Sequence, residues 1–277
     1  MKKPLNQIRH VALDMDGTIY RGGTLFDFTK PFLGLIRNLG IGHTFLTNNP
    51  SRSVKDYLAK LRAMGIEADE GQIYTSTQCA IAYLKKKFPN AKKLFPLGTP
   101  SMCQELQRAG FQICEDSALD EPDVVLVTFD MTLTFSRLGR AAWWIQNGKP
   151  YVATNPDFIC PTDQQTVWVD CGSICAGLKA ATGRSPDKVL GKPDPAMLRG
   201  ILERHELRPA ELAMVGDRTY TDIVMAQRAG AFSVLVLTGE TNREDANKFS
   251  PAPDLIVQSL KEFGEKLLAA KSEVVSA

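Results

Sequence analysis

Asp14 and Asp16 stand two residues apart at the end of the apolar run in "VALDMDGT", with Gly17 and Thr18 directly after them. In a regular strand two such carboxylates share one face. Held close in a partly buried place they repel, and unpaired buried charge is costly. A divalent cation removes that cost, and Mg2+ prefers hard oxygen ligands. The plainer alternative is a β-turn at Asp16-Gly17. Other apolar runs end in the same manner. "HTFLTNN" delivers Thr47, Asn48 and Asn49; "LAMVGD" delivers Asp217, with Asp222 five residues on; "LGKPDP" delivers Lys192. Three carboxylates suit a metal, while a hydroxyl, helix-start amides and a lysine suit an anion. The anion that answers both magnesium and lysine is phosphate.

These residues can meet only if the elements carrying them point the same way. Strand-like runs alternate with helical periods, which predicts βαβ units and a parallel sheet. Residues 8–16 read as a strand, 29–40 as a helix ending at Gly40, and 41–49 as a second strand. A second helix is expected over 50–65, with Asn49 as its cap, Pro50 at its first position and Gly65 at its end. Late in the chain, "PDPAMLRGILERHEL" reads as a helix capped by Asp194 with Pro195 at its first position. "AELAMVGD" reads as a strand, "RTYTDIVMAQRAG" as a helix closed by Gly230, and "AFSVLVLTG" as a strand. A final strand and helix follow, and "KSEVVSA" is expected to fray. In an open parallel sheet, ligands bind beyond the carboxyl ends of the strands.

The middle of the chain repeats the alternation and is long enough to form an α/β domain of its own. The expected division is a core at 1–75 and 173–277 with an insertion at 76–172. The expected fold class is α/β, a Rossmann-like parallel sheet core carrying an inserted α/β domain. Size agrees, since 277 residues can build two domains.

Composition narrows the partners. A net charge of +2 with scattered basic residues does not point to nucleic acid. Lys85, Lys86 and Lys87 read as a solvated helix end. No apolar run reaches the ~20 residues of a membrane span, and the first ten residues lack the apolar stretch of a signal peptide. The six cysteines form no C-x-x-C pair, and Cys171 and Cys175 have no histidine nearby. Free thiols fit a reducing cytoplasm. The three histidines, His10, His43 and His205, occupy no catalytic motif. G-x-G-x-x-G after the first strand and G-x-x-x-x-G-K-[ST] are both absent. Adjacent Trp143 and Trp144 read as one core and one interface residue.

"DMDGT", "FLTNN", "GKPDP" and "GDRTYTD", in that order, resemble the four motifs of haloacid dehalogenase-type phosphatases. "TNNPSRS", "GDRTYTDI" and the long insertion resemble the NagD / 4-nitrophenylphosphatase branch. The resemblance implies that Asp14 is a nucleophile forming an aspartyl-phosphate and Asp16 a general acid/base. It implies Mg2+ held by the Asp14 carboxylate, the Asp16 carbonyl and Asp217, with Asp222 behind them orienting metal waters or Lys192. Thr47, Asn48 and Asn49 would form the phosphoryl-binding segment, and Lys192 would bridge nucleophile and phosphate. The substrate would be a small phosphorylated metabolite: a sugar phosphate, phosphoglycolate, a nucleoside monophosphate or pyridoxal phosphate. Relatives acting on pyridoxal phosphate carry a histidine where Cys160 aligns, which weighs against that substrate. "ATNPDFICPTDQ" resembles the cap loop that faces the active site, and the branch implies a homodimer through the cap. A phosphotransferase or mutase using the same intermediate, and a phospholigand-binding protein without turnover, are the alternatives.

Overall fold

The computed structural model describes residues 4–160 and 165–275. The chain divides into two units: 1–47, 58–74 and 192–277 form the first, and 48–57 and 75–191 the second.

The first unit is built on a six-stranded sheet. Its order is Leu255–Val257, Phe232–Val236, Leu212–Gly216, His10–Asp14, Gly42–Thr47 and Ile73–Thr75. Pairings from Gly42–Thr47 across to Leu255–Val257 are all parallel. Helices cover both faces of such a sheet, so its strands are continuously apolar rather than alternating. Val11, Ala12 and Leu13, and Ala213, Met214 and Val215, are fully buried. The chain leaves His10–Asp14 toward one edge and later returns to its other side at Leu212–Gly216. The order of strand addition therefore reverses between these two parallel strands. The crevice beyond their carboxyl ends is where ligands bind in this class of sheet. Asp14 is registered against Leu46, and Leu13 against Val215, which brings Asp14, Thr47 and Asp217 to one rim.

The second unit has its own parallel sheet, ordered Lys188–Val189, Tyr151–Ala153, Val124–Val127, Lys93–Leu97 and Gln112–Ile113. Helices Ser76–Lys87, Pro100–Arg108 and Phe135–Gln146 begin at Thr75, Thr99 and Thr134, whose hydroxyls accept backbone N–H bonds. That is ordinary N-capping chemistry. Trp144 is buried in this unit's core, while Trp143 stays 40% exposed with Arg140 over its ring. Lys85, Lys86 and Lys87 are exposed in the last turn of their helix.

The expected insertion limit at 172 falls inside helix Cys171–Thr182, whose Ile174, Cys175 and Leu178 pack into the second unit's core. Strand Lys188–Val189 then pairs with Tyr151–Ala153, so this unit runs on to 191. The helix expected from Pro50 instead spans Val54–Ala63. The Asn49 side-chain oxygen Oδ1 accepts from the N–H and hydroxyl of Ser51 in a local turn. Ser53 and Asp56 then exchange the bonds of a capping box. Ser53→Ala is expected to lower stability by about 1 kcal/mol, to be read from urea unfolding. The helix expected to begin at Pro195 spans Ala196–Arg204, and Asp194 still accepts from the Ala196 N–H at 2.8 Å. At the C-terminus, helix Leu260–Val275 takes in most of the tail expected to fray; 276–277 lie outside the described residues.

Candidate active site

Strand His10–Asp14 is buried until its last residue, which emerges half-buried into the crevice. The strand stops there, so the two-residue alternation no longer governs Asp16, whose side chain is exposed. Gly17 follows at φ +83°, in the left-handed region that glycine enters without strain. A Cβ on Gly17 would lie 2.5 Å from Asp217 Oδ2, so close approach as well as backbone conformation requires glycine.

Lys192 is 3% exposed. Its ammonium hydrogen-bonds to Asp14 Oδ1 and lies 2.8 Å from Asp222 Oδ1. Burial opposes its charge, yet the two carboxylates outweigh burial and hold its pKa above the ordinary lysine value. Asp222 sits in a single π-helical turn, Thr219–Ile223, that opens the segment after strand Leu212–Gly216. Such turns recur at functional sites. Carboxylate oxygens of Asp14, Asp217 and Asp222 all lie within 4.8 Å of one another, the one such group of metal-capable side chains among the described residues.

Burial raises Asp14 to about 7, with Lys192 opposing and Asp222 and Asp217 adding to the rise. Burial and then Asp222 raise Asp217 to about 6. Burial leads both shifts, and the crowding of Asp14, Asp217 and Asp222 adds to them. Asp217 Oδ2 accepts the Glu240 N–H at 2.7 Å. Asp217 Oδ1 is buried with no partner among the described residues. Surplus negative charge, an oxygen-only donor set and an orphaned carboxylate oxygen fit a hard divalent cation.

The sequence-derived residues thus divide. Asp14, Lys192, Asp217 and Asp222 come together, Asp222 bringing its carboxylate into the group itself. The Asp16 carboxylate is not a member of that group. Thr47 is buried at the end of its strand. Asn48 and Asn49 belong to the second unit: Asn48 Nδ2 donates to Asp157 Oδ2 at 2.8 Å, and Asn49 Nδ2 lies 3.8 Å from Cys160 Sγ. Residues 161–164 of the expected cap loop lie outside the described residues. The loop after strand Phe232–Val236, which holds Asp217 through Glu240, was missed. "VLVLTG" is another apolar run ending in polar residues, so the strand-end rule already contained the signal.

A doubly wound parallel sheet whose strand order reverses beside acidic tips and a buried lysine offers a cation and an anion a common site. The family model described as haloacid dehalogenase-like hydrolase matches residues 11–112. A second, described as HAD-hydrolase-like, matches 189–263. The ribonucleotide monophosphatase NagD of Escherichia coli (strain K12) is 30% identical over 92% of this chain and 98% of its own length. The acid sugar phosphatase of Staphylococcus aureus (strain USA300) is 30% identical over 93% of this chain and 97% of its own. The crystal structure of a 4-nitrophenylphosphatase from Thermotoga maritima superposes with a TM-score of 0.88 at 37% identity, covering 94% of this chain and 98% of that one. The chain belongs to the haloacid dehalogenase-like hydrolases, in their NagD-like branch.

Proposed function

We propose that the protein is a Mg2+-dependent phosphatase of small phosphate monoesters, working through an aspartyl-phosphate on Asp14. The observation that carries the reading is the Asp14–Lys192–Asp222 chain of contacts beside Asp217, at the sheet's reversal point. Kinship with a ribonucleotide monophosphatase, an acid sugar phosphatase and a 4-nitrophenylphosphatase supports the substrate class.

In this mechanism a carboxylate oxygen of Asp14 attacks phosphorus while the bond to the leaving alcohol breaks. Asp16, exposed beside it, gives its proton to the leaving oxygen. The resulting Asp16 carboxylate takes a proton from water, which attacks phosphorus and frees phosphate and Asp14. Lys192 orients Asp14 and offsets part of the charge that two anions bring together. Asp14, Asp217 and the Asp16 carbonyl would hold Mg2+, with Asp222 supporting Lys192. Bound there, the cation neutralises charge between nucleophile and phosphate. Thr47 and the Asn48 amide bind the phosphoryl oxygens, and Asn49 shapes that segment through its turn with Ser51. The second unit is the inserted cap in this reading and sets the choice of substrate. A homodimer through the cap and a cytoplasmic location complete the reading. Among the described residues no helix is long and apolar enough to cross a membrane.

The test is inorganic phosphate release from a panel of sugar phosphates, phosphoglycolate, nucleoside monophosphates, pyridoxal phosphate and 4-nitrophenyl phosphate. Turnover is expected with Mg2+, ranked by kcat/KM, and a fall to background after chelation. No release across the panel overturns the proposal. Phosphate passed to an added acceptor sugar instead would identify a phosphotransferase.

A further inference from the structure

Strand Phe232–Val236 ends beside the site, and its following loop is bound on every side. Thr238 Oγ1 donates to the Gly17 carbonyl at 2.6 Å, and Arg21 Nη2 donates to the Thr238 carbonyl at 2.9 Å. Gly239 packs so tightly on Asp217 that a Cβ there would overlap the carboxylate. Next in the chain, the Glu240 N–H donates to Asp217 Oδ2 at 2.7 Å, and the Thr241 N–H donates to the Asp217 carbonyl at 3.2 Å.

The Glu240 side chain turns back onto the segment that carries Asp217. Its Oε1 accepts from the Tyr220 hydroxyl at 2.6 Å, and its Oε2 lies 2.8 Å from Arg218 Nε. Arg218 directly follows Asp217, and Tyr220 lies between Asp217 and Asp222. One residue therefore grips the metal-capable segment twice, by its main chain at Asp217 and by its carboxylate at the two residues beyond. The Glu240 side chain is 48% exposed, and exposed ion pairs contribute little to global stability. What the clamp does supply is direction: with Oδ2 committed to Glu240, Asp217 Oδ1 is left without a partner among the described residues.

We propose that Glu240 is a positioning residue for the cation site, fixing Asp217 so that its free oxygen serves as the ligand. The inference rests on the metal-dependent reading above. Removing a group hydrogen-bonded to a metal ligand typically changes metal affinity by about 10–100-fold; the Glu240 side chain stands one step further out, pinning through Tyr220 and Arg218 the loop whose N–H bonds Asp217.

The experiment compares wild type, Glu240→Ala, Glu240→Gln and Tyr220→Phe as full chains. The Mg2+ dissociation constant is taken from the rise in Tm with added Mg2+ and no substrate present. Glu240→Ala keeps the N–H that bonds Asp217 but unpins the loop carrying it, so Mg2+ binding is expected to weaken by about fivefold, less than when a ligand's own partner is removed. The Gln variant, whose amide oxygen still accepts from Tyr220, recovers most of that loss, and Tyr220→Phe loses an intermediate amount. The metal-free Tm stays near wild type throughout, as the exposed clamp implies. In turnover, the Mg2+ concentration for half-maximal rate rises with the dissociation constant while kcat at saturating Mg2+ holds. An Ala variant within twofold of wild-type Mg2+ affinity overturns the proposal. So do equal losses in Ala and Gln accompanied by a falling metal-free Tm, because that pattern is structural. A wild type whose Tm ignores Mg2+ overturns it as well. The binding arm needs no turnover, so a protein that binds Mg2+ but hydrolyses nothing counts against the phosphatase reading alone.

Discussion

Asp14→Asn is expected to lower phosphate release by roughly a thousandfold or more while the chain stays folded. An amide oxygen is a far weaker nucleophile than a carboxylate, and losing a nucleophile from a concerted site removes most of its rate. Structure argues that the loss would be chemical. Asparagine keeps the shape of aspartate, and Lys192 retains its contact with Asp222 at 2.8 Å. Removing one of three crowded carboxylates also relieves the repulsion that, with burial, raises Asp14 to about 7. Tm should therefore move by a few degrees at most, equivalent to about 1 kcal/mol. Phosphate release and thermal unfolding measured on the same preparation decide it. Activity within tenfold of wild type would remove Asp14 from the nucleophile role.

The strand-end rule made this cluster legible because its physics is local. An apolar run stopped by Asp14 or Asp217 has one reading if the run is a buried parallel strand, and the alternation with helices says that it is. Asp222 was less legible. The resemblance implies a place behind the cluster, whereas its carboxylate, carried on the π-helical turn Thr219–Ile223, lies among the others. The Asp14/Asp16 pairing on one face needs a strand that continues, whereas pairing with Leu212–Gly216 ends at Leu13 and with Gly42–Thr47 at Asp14.

Elsewhere two valid signals competed. Asn49-Pro50 and Ser53-x-x-Asp56 are both helix-start patterns, and the second prevails because Asn49 is spent on Ser51. The limit of the insertion was hidden by a two-residue strand, Lys188–Val189, too short for any periodicity to mark. Only its pairing with Tyr151–Ala153 assigns it to the second sheet.

The other large effect lies at the opposite end of the same strands, where His10 and His205 meet and the charge of His43 reaches His10. His10 opens its strand and is registered against Gly42, while Val11 is registered against His43. His10 Nε2 lies 2.8 Å from Thr44 Oγ1, which in turn lies 3.4 Å from His205 Nε2, and the His10 and His205 rings are 4.2 Å apart. His43 meets Gln72 at 3.1 Å. Burial, then the charges of His205 and His43, pushes His10 down to about 3. Burial, then Arg37, pushes His43 down to about 4, with Asp69 opposing. Burial and Arg204 lower His205, again against Asp69. Each histidine thus binds its proton more weakly when folded than when unfolded. Their stabilisation is complete above the unfolded value near 6.5 and is lost as pH falls toward the folded values. Asp14 and Asp217, raised in the fold, act in the reverse sense and partly mask this loss in wild type alone. A difference between variants isolates it. His10→Gln keeps a donor within reach of Thr44 but cannot titrate. Between pH 7 and pH 4, the unfolding free energy of wild type should fall by about 3 kcal/mol more than that of the variant. Urea unfolding at the two pH values measures the difference. Parallel losses, within about 1 kcal/mol of each other, would mean that His10 is not held neutral by the fold.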